Sequence, residues 1–243
     1  MMGLFTEMGP CIVTKDSKDT SPNPYSWNNN ASVIFIDQPA GTGLSSVVPG
    51  SPYPKSDQES AVDLAFFINI FFTHIFPDKA SLSLHVAGES YGGHYVPTLV
   101  NHLLEDRTRD SKAAFSGNIS SIILINAPVD VVAPSVGSWE LLCSDFRGDV
   151  FNQSVCAQIA VAMPECEQLG RDCRRTGDAN TCLGAALYCI TEIAAFYEAE
   201  QEAGKKSPYN SEFPRSHDNP STCNITDMYI STPSMHKSSI LLG

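Results

Sequence analysis

Basic side chains are scarce: 15 Lys and Arg stand against 27 Asp and Glu, a formal charge of −12 with a pI near 4.8. A surface of that sign has little with which to neutralise phosphates, which argues against nucleic acid as a partner. Long hydrophobic runs are missing too. The longest apolar segment, Ala61 to Phe76, is broken by Asp63 and Asn69 and falls short of a bilayer's thickness, so no membrane span is expected. The phosphate-cradling GxxxxGK pattern is absent, and no two cysteines are spaced CxxC. Zinc favours such close ligand pairs with histidines nearby, and the first histidine after Cys189 is His217, so neither a metal site nor a cofactor is expected. The opening MMGLFTEMGPCIV has no basic region and interrupts its apolar residues with Glu7 and Pro10, which is not the pattern of a signal peptide.

What is present points elsewhere. At 243 residues and 42% hydrophobic content the chain can fill a sizeable core. Eight cysteines and four glycosylation sequons, at Asn30, Asn118, Asn152 and Asn224, indicate an oxidising compartment on the secretory route. The expectation that reconciles this with the missing export signal is that Met1 or Met2 lies inside a longer natural chain.

The β-branched run Val33 to Ile36 has the pattern of a strand buried on both faces. Ser56, with Glu59 three residues on, forms a capping box ahead of a helix whose apolar positions Ala61, Leu64, Ala65, Ile68, Phe72 and Ile75 recur at helical spacing until Pro77. Leu82 to Gly88 is a second strand. A helix follows from Ser90 through Leu103 and Leu104, with a kink or restart expected at Pro97. Ile122 to Ile125 supplies a third strand, and the order β, α, β, α, β implies a parallel sheet with right-handed crossovers. No strand-like run is visible after Ile125. The expected organisation is an α/β core over 1–141, a cysteine-rich helical insertion over 142–204 and a loop-rich tail over 205–243.

Gly88, Ser90 and Gly92 have GxSxG spacing between a strand and a helix. That turn exposes a serine hydroxyl and aims helix amides at a developing oxyanion. By composition alone such a match arises in about one chain in ten of this length, so its context matters. GLFTEMGP (Gly3 to Pro10), NPYSWNNNASVIFIDQPAGTGLS (Asn23 to Ser45) and GESYGGHYVP (Gly88 to Pro97) together resemble the serine carboxypeptidases of the α/β-hydrolase fold, in that family's order.

The resemblance implies a parallel-rich sheet flanked by helices, with Ser90 as nucleophile and the Tyr91 backbone N–H as an oxyanion donor. It further implies that Glu7 and Glu89 recognise the C-terminal carboxylate of a peptide, and that Phe5 and Tyr91 wall substrate pockets. Two close carboxyl groups can hold one proton between them, and the protonated one can donate to a substrate carboxylate. Without the resemblance, Glu7 is equally a polar residue near a terminus and Glu89 a solvated turn residue. Asp37 is expected to be a structural hydrogen-bonding residue, and the Asp37 to Ser45 loop, with Gly41 and Gly43, a wall of the active-site rim.

The cysteines at 143, 156, 166, 173, 182 and 189 leave their connectivity open on spacing alone. The same spacing resembles the insertion of yeast-vacuole-type carboxypeptidases, which implies the pairs Cys143 with Cys156, Cys166 with Cys189 and Cys173 with Cys182. Cys11 and Cys223 either pair with each other or have partners outside the chain. Where the segment IILINAPVDVVAPS stands, the family has a glycine-asparagine-glycine turn followed by Asp-Pro; Asn126 and Asp130 remain, but Ala127 and Pro128 alter the turn, so the pocket on that side is expected to differ.

A serine hydrolase also needs an acid and a histidine from later strands. His94 and His102 belong to the helix that starts at the serine, and His217 and His236 resemble no catalytic histidine motif. The expected function is therefore a serine-type carboxypeptidase acting on peptides and proteins with a free C-terminus, secreted or vacuolar/lysosomal, whose catalytic base and acid lie outside this chain. The alternatives are a catalytically dead binder of peptide C-termini and an esterase or acyltransferase of the same fold. Oligomeric state is not legible in the sequence.

Overall fold

The computed structural model describes residues 2–14, 16–108, 115–130, 132–143, 153–196, 199 and 239–242. The chain divides into two compact units, Met1–Ala127 with Tyr229–Gly243, and Pro128–Met228.

In the first unit a π-helical turn over Gly3–Glu7 leads into a small antiparallel hairpin, β1 (Cys11–Val13) with β2 (Thr20–Pro22). The main sheet contains β3 (Ile34–Asp37), β4 (Ser83–Glu89), β5 (Asn118–Ile125) and β6 (Ser239–Leu242) in the order β3-β6-β4-β5. β4 and β5 are parallel, with Glu89 opposite Ile125. β6 is antiparallel to both β3 and β4, so β3, β4 and β5 all run in one direction.

Helix α1 (Asp57–Ile70) starts where the capping box places it. Ser56 Oγ accepts the Glu59 amide at 3.1 Å, and the Glu59 carboxylate reaches back to the Lys55 amide at 2.6 Å. Helix α2 (Gly92–Thr108) continues through Pro97 as one helix, which removes the restart from the two expected alternatives. The proline lies in the second turn, where its missing N–H removes only one bond from the ladder. Both helices pack on the same face of the sheet, where Leu64 and Ile68 of α1, Val96, Leu99 and Leu103 of α2, and Leu84 and Val86 of β4 are fully buried. Each such side chain contributes about 1.5–3 kcal/mol through burial. β3 is half-buried rather than enclosed on both faces, because only its Ile34 and Ile36 side reaches this core.

Strand β6 corrects the expectation of an unstructured end. Four residues are too few to show periodicity, yet Ser239–Leu242 pairs with all of β3 and with Val86 and Ala87 of β4. β5 forms one edge of the sheet, and its Ile122, Ile123 and Leu124 are exposed.

The second unit contains α3 (Ala133–Cys143), α4 (Gln153–Thr176) and α5 (Ala179–Cys189). Disulfides join Cys143 to Cys156, Cys166 to Cys189 and Cys173 to Cys182. The last pair is nested inside the second and staples the α4–α5 hairpin. Val132, Ile159, Met163, Ile193 and the buried Cys166–Cys189 bridge form the unit's core. Gly170 is required there, since a Cβ would run into Val132.

Candidate active site

The turn from β4 into α2 is built by three residues. Gly88 ends the buried part of β4, and a Cβ there would lie 2.7 Å from Val96 and 2.9 Å from the backbone of Gly92. Only glycine lets strand and helix approach this closely. Ser90 follows with φ 53°, a left-handed conformation that non-glycine residues rarely adopt. Its amide donates to the Ile125 carbonyl at 3.1 Å, its carbonyl accepts from the Gly93 amide at 3.0 Å, and its side chain is exposed. Local geometry thus holds the serine at the carboxyl end of the sheet, where strands of open α/β sheets deliver reactive groups. At Gly92 a Cβ would meet nothing within 4 Å, so close packing does not explain that glycine.

Tyr91 follows the serine, with its ring held on three sides. Its hydroxyl lies 3.4 and 3.5 Å from the two carboxylate oxygens of Asp57, His94 stacks on it at 4.7 Å, and Tyr95 meets it edge-on at 4.9 Å. Desolvation first, and then the Asp57 charge, raise the Tyr91 phenol above its usual value, and the same causes act on Tyr95.

Glu89 precedes the serine, and the fold brings Glu7 to it. The Glu7 carboxyl is pushed up to about 7, chiefly by burial, then by its hydrogen bond to Glu89 and by that neighbour's charge. The segment bearing Glu7 is itself pinned: the buried Asn23 donates from Nδ2 to the carbonyls of Glu7 and Gly9, both at 2.9 Å, and Ser26 Oγ donates to the Met8 carbonyl at 3.1 Å. Sequence reasoning assigned no role to Asn23 or Ser26. Their signal was present only as part of the NPYSW stretch. Phe5, on the same π-helical turn, is 40% exposed.

Asp37 is buried and structural, with its Oδ2 accepting the Leu44 amide at 2.8 Å and its carbonyl accepting the Ser45 hydroxyl at 2.6 Å. Gly43 is needed beside it, since a Cβ would meet that carboxylate. Asp130, in the second unit, is also structural: Oδ1 accepts the Val132 and Ala133 amides at 2.7 and 3.0 Å, and Oδ2 accepts from Arg174 at 2.6 Å. Burial pushes the Asp130 carboxyl up, but these donors outweigh it and hold the group below its usual range.

The histidines described near this sheet have other partners. His85 Nδ1 is 2.7 Å from the Ser121 hydroxyl, His94 stacks on Tyr91, and His102 pairs with Asp106 at 3.4 Å. His217, His236, Cys223 and the sequons at Asn152 and Asn224 lie outside the described residues. Asn30 and Asn118 are exposed, and Cys11 is half-buried and makes no disulfide among the described residues. Those residues also contain no cluster of side chains suited to a metal ion and no helix long and apolar enough to cross a membrane.

A family model described as serine carboxypeptidase matches residues 1–239. Carboxypeptidase Y of Schizosaccharomyces pombe is 34% identical over 197 residues, which is 78% of this chain but 19% of that protein. Carboxypeptidase Y homolog A of Fusarium vanettenii is 32% identical over 203 residues, 82% of this chain and 35% of that protein. The chain thus spans about a fifth to a third of the length of these curated relatives. The crystal structure of Kex1(delta)p, a prohormone-processing carboxypeptidase from Saccharomyces cerevisiae, shares the fold with a TM-score of 0.67 at 21% identity, covering 96% of this chain and 51% of that one.

Proposed function

Because the chain belongs to the serine carboxypeptidase family, we propose that its Ser90 site serves hydrolysis of the C-terminal peptide bond of peptides and proteins. The observation that carries this reading is an exposed serine at φ 53° on a strand-to-helix turn; beside it, burial and the preceding Glu89 raise the Glu7 carboxyl to about 7. Ser90 Oγ would attack the last peptide carbonyl, with the oxyanion received by the Tyr91 N–H. The amine product would leave with a proton, and water would then release the shortened peptide from the acyl-enzyme. Near and below about pH 7 the Glu7 carboxyl carries a proton it can donate to the substrate's C-terminal carboxylate, so binding is favoured in acid. Phe5 and Tyr91 would wall the adjoining pockets.

The proton leaving Ser90 needs a base, and the described histidines with known contacts are engaged elsewhere. The described residues are therefore proposed to supply the nucleophile and the carboxylate-recognition groups, with no base assigned among them. The three disulfides favour an oxidising compartment, secreted or vacuolar/lysosomal. The same observations favour one second reading, a protein that holds peptide C-termini without cleaving them.

The test is calorimetric titration near pH 5 with an N-acetylated dipeptide, as free acid and as amide. Preference for the free acid, lost in Glu89→Gln, is the expected result, whereas equal binding of acid and amide would refute the site. Labelling of Ser90 by a fluorophosphonate probe separates the enzyme from the silent binder.

A further inference from the structure

The geometry points to Asp57 as a positioning residue for the Tyr91 pocket wall beside the nucleophile, acting through the Tyr91 hydroxyl. The inference rests on the reading of Ser90 and Tyr91 given above, and adds to it a residue from a different element.

Asp57 is the first residue of α1, and its neighbour Ser56 caps that helix. Its carboxylate therefore projects from a fixed helix start rather than from a loose loop. Tyr91 lies just before α2, whose first turns present His94 and Tyr95. The phenol straddles both Asp57 oxygens at 3.4 and 3.5 Å, distances long for an O–H···O bond. At that range the attraction is that of a phenol dipole to a carboxylate charge, weaker than a full hydrogen bond. His94 covers one face of the ring at 4.7 Å with 27° between planes, and Tyr95 closes an edge at 65°. The ring is still 47% exposed, so the side left open is the one available to a ligand.

Tyr91 is bonded directly to Ser90, whose left-handed backbone has few alternatives. Side-chain torsion leaves the backbone N–H in place, so what anchoring the far end of the ring to α1 restrains is the pocket wall that Tyr91 forms beside Ser90. The titratable groups around this contact are Asp57 from α1 and Tyr91, His94 and Tyr95 from the turn and α2.

A double-mutant cycle tests the assignment, with Asp57→Ala, Tyr91→Phe and the pair measured for dipeptide binding near pH 5. Each single change is expected to weaken the free-acid dipeptide about two- to three-fold, the low end of what one hydrogen bond commands, and the double variant no further. Asp57→Glu, which keeps the charge, should retain most of the affinity, whereas the neutral Asp57→Asn should behave like Asp57→Ala. Fluorotyrosine labelling gives a second readout: the Tyr91 19F resonance should move in Asp57→Ala and stay near its wild-type position in Asp57→Glu. Additive losses in the cycle, or an unmoved Tyr91 resonance in Asp57→Ala, would overturn the inference while leaving the Ser90 site intact. Absence of any dipeptide binding by the wild-type chain would overturn both.

Discussion

The carboxyl of Glu7 is raised to about 7 by burial and by the neighbouring carboxyl of Glu89, one residue before the exposed Ser90. Two neighbouring acidic groups cannot both be charged without cost, and here burial adds to the mutual repulsion.

Stability should follow the Glu7 proton. A carboxyl whose pKa is raised on folding, here from 4.5 to about 7, stabilises fully below the unfolded value, and that contribution is lost as pH rises through the folded value. A shift of this size sets an upper limit of about 3 kcal/mol. Screening at a half-exposed pair brings the expected contribution to about 1 kcal/mol. Urea unfolding at pH 5 and pH 8 should show that loss in the wild type and a flatter profile in Glu7→Gln. Equal slopes in the two proteins would count against the shared proton.

Relief of backbone strain at the nucleophile should be measurable. Ser90→Gly removes the penalty of φ 53° and is expected to raise stability by about 0.5–1 kcal/mol, after the entropy glycine adds to the unfolded chain. Ser90→Ala retains the strain and should be close to neutral. A glycine variant no more stable than the alanine variant would show that the turn is not strained.

Loss of the outer hairpin bridge should outweigh loss of the inner one. The Cys166–Cys189 link closes 23 residues and Cys173–Cys182 closes 9, so loop entropy assigns about 3 kcal/mol to the first and slightly less to the second. Burial widens the gap, because Cys166 and Cys189 are fully enclosed. Thermal melts of the paired Cys→Ser variants would check the order.

The edge strand β5 should drive association. Asn118–Ile125 has no charge and no proline, and its exposed Ile122, Ile123 and Leu124 lie in one run. Native edges usually carry a lysine, a proline or a bulge to prevent pairing with another chain, and of these β5 has only a register irregularity opposite Leu84 and His85, ahead of the 122–124 run. Ile122→Lys is therefore expected to reduce concentration-dependent light scattering, and a glycan on the exposed Asn118 at the strand's start should do the same. Unchanged scattering in Ile122→Lys would place the sticky surface elsewhere.

Much of the first unit was legible because its signals are local. Ser56 and Glu59 announce a helix start through their own hydrogen bonds, and Gly88, Ser90 and Gly92 announce a tight turn. β6 was not legible, since SILL becomes a strand only when β3 and β4 offer it two edges. The hold of Asn23 on the Glu7 carbonyl and of Asp57 on Tyr91 also escaped, because each joins residues 16 or 34 positions apart through one polar contact. The disulfide pairing was legible only through resemblance. Spacing does not order six cysteines, whereas two antiparallel helices bring Cys166 to Cys189 and Cys173 to Cys182 at matching levels.

The nested bridges also change what a protease could accomplish. Gly177, with φ 62°, marks the exposed turn between α4 and α5, and both the 173–182 and the 166–189 bridges span it. A cut at that turn would convert one polypeptide into two without releasing either, since two covalent rungs still tie the helices together. The hairpin can therefore be nicked and keep its shape, and only a reductant following the protease would let the pieces part.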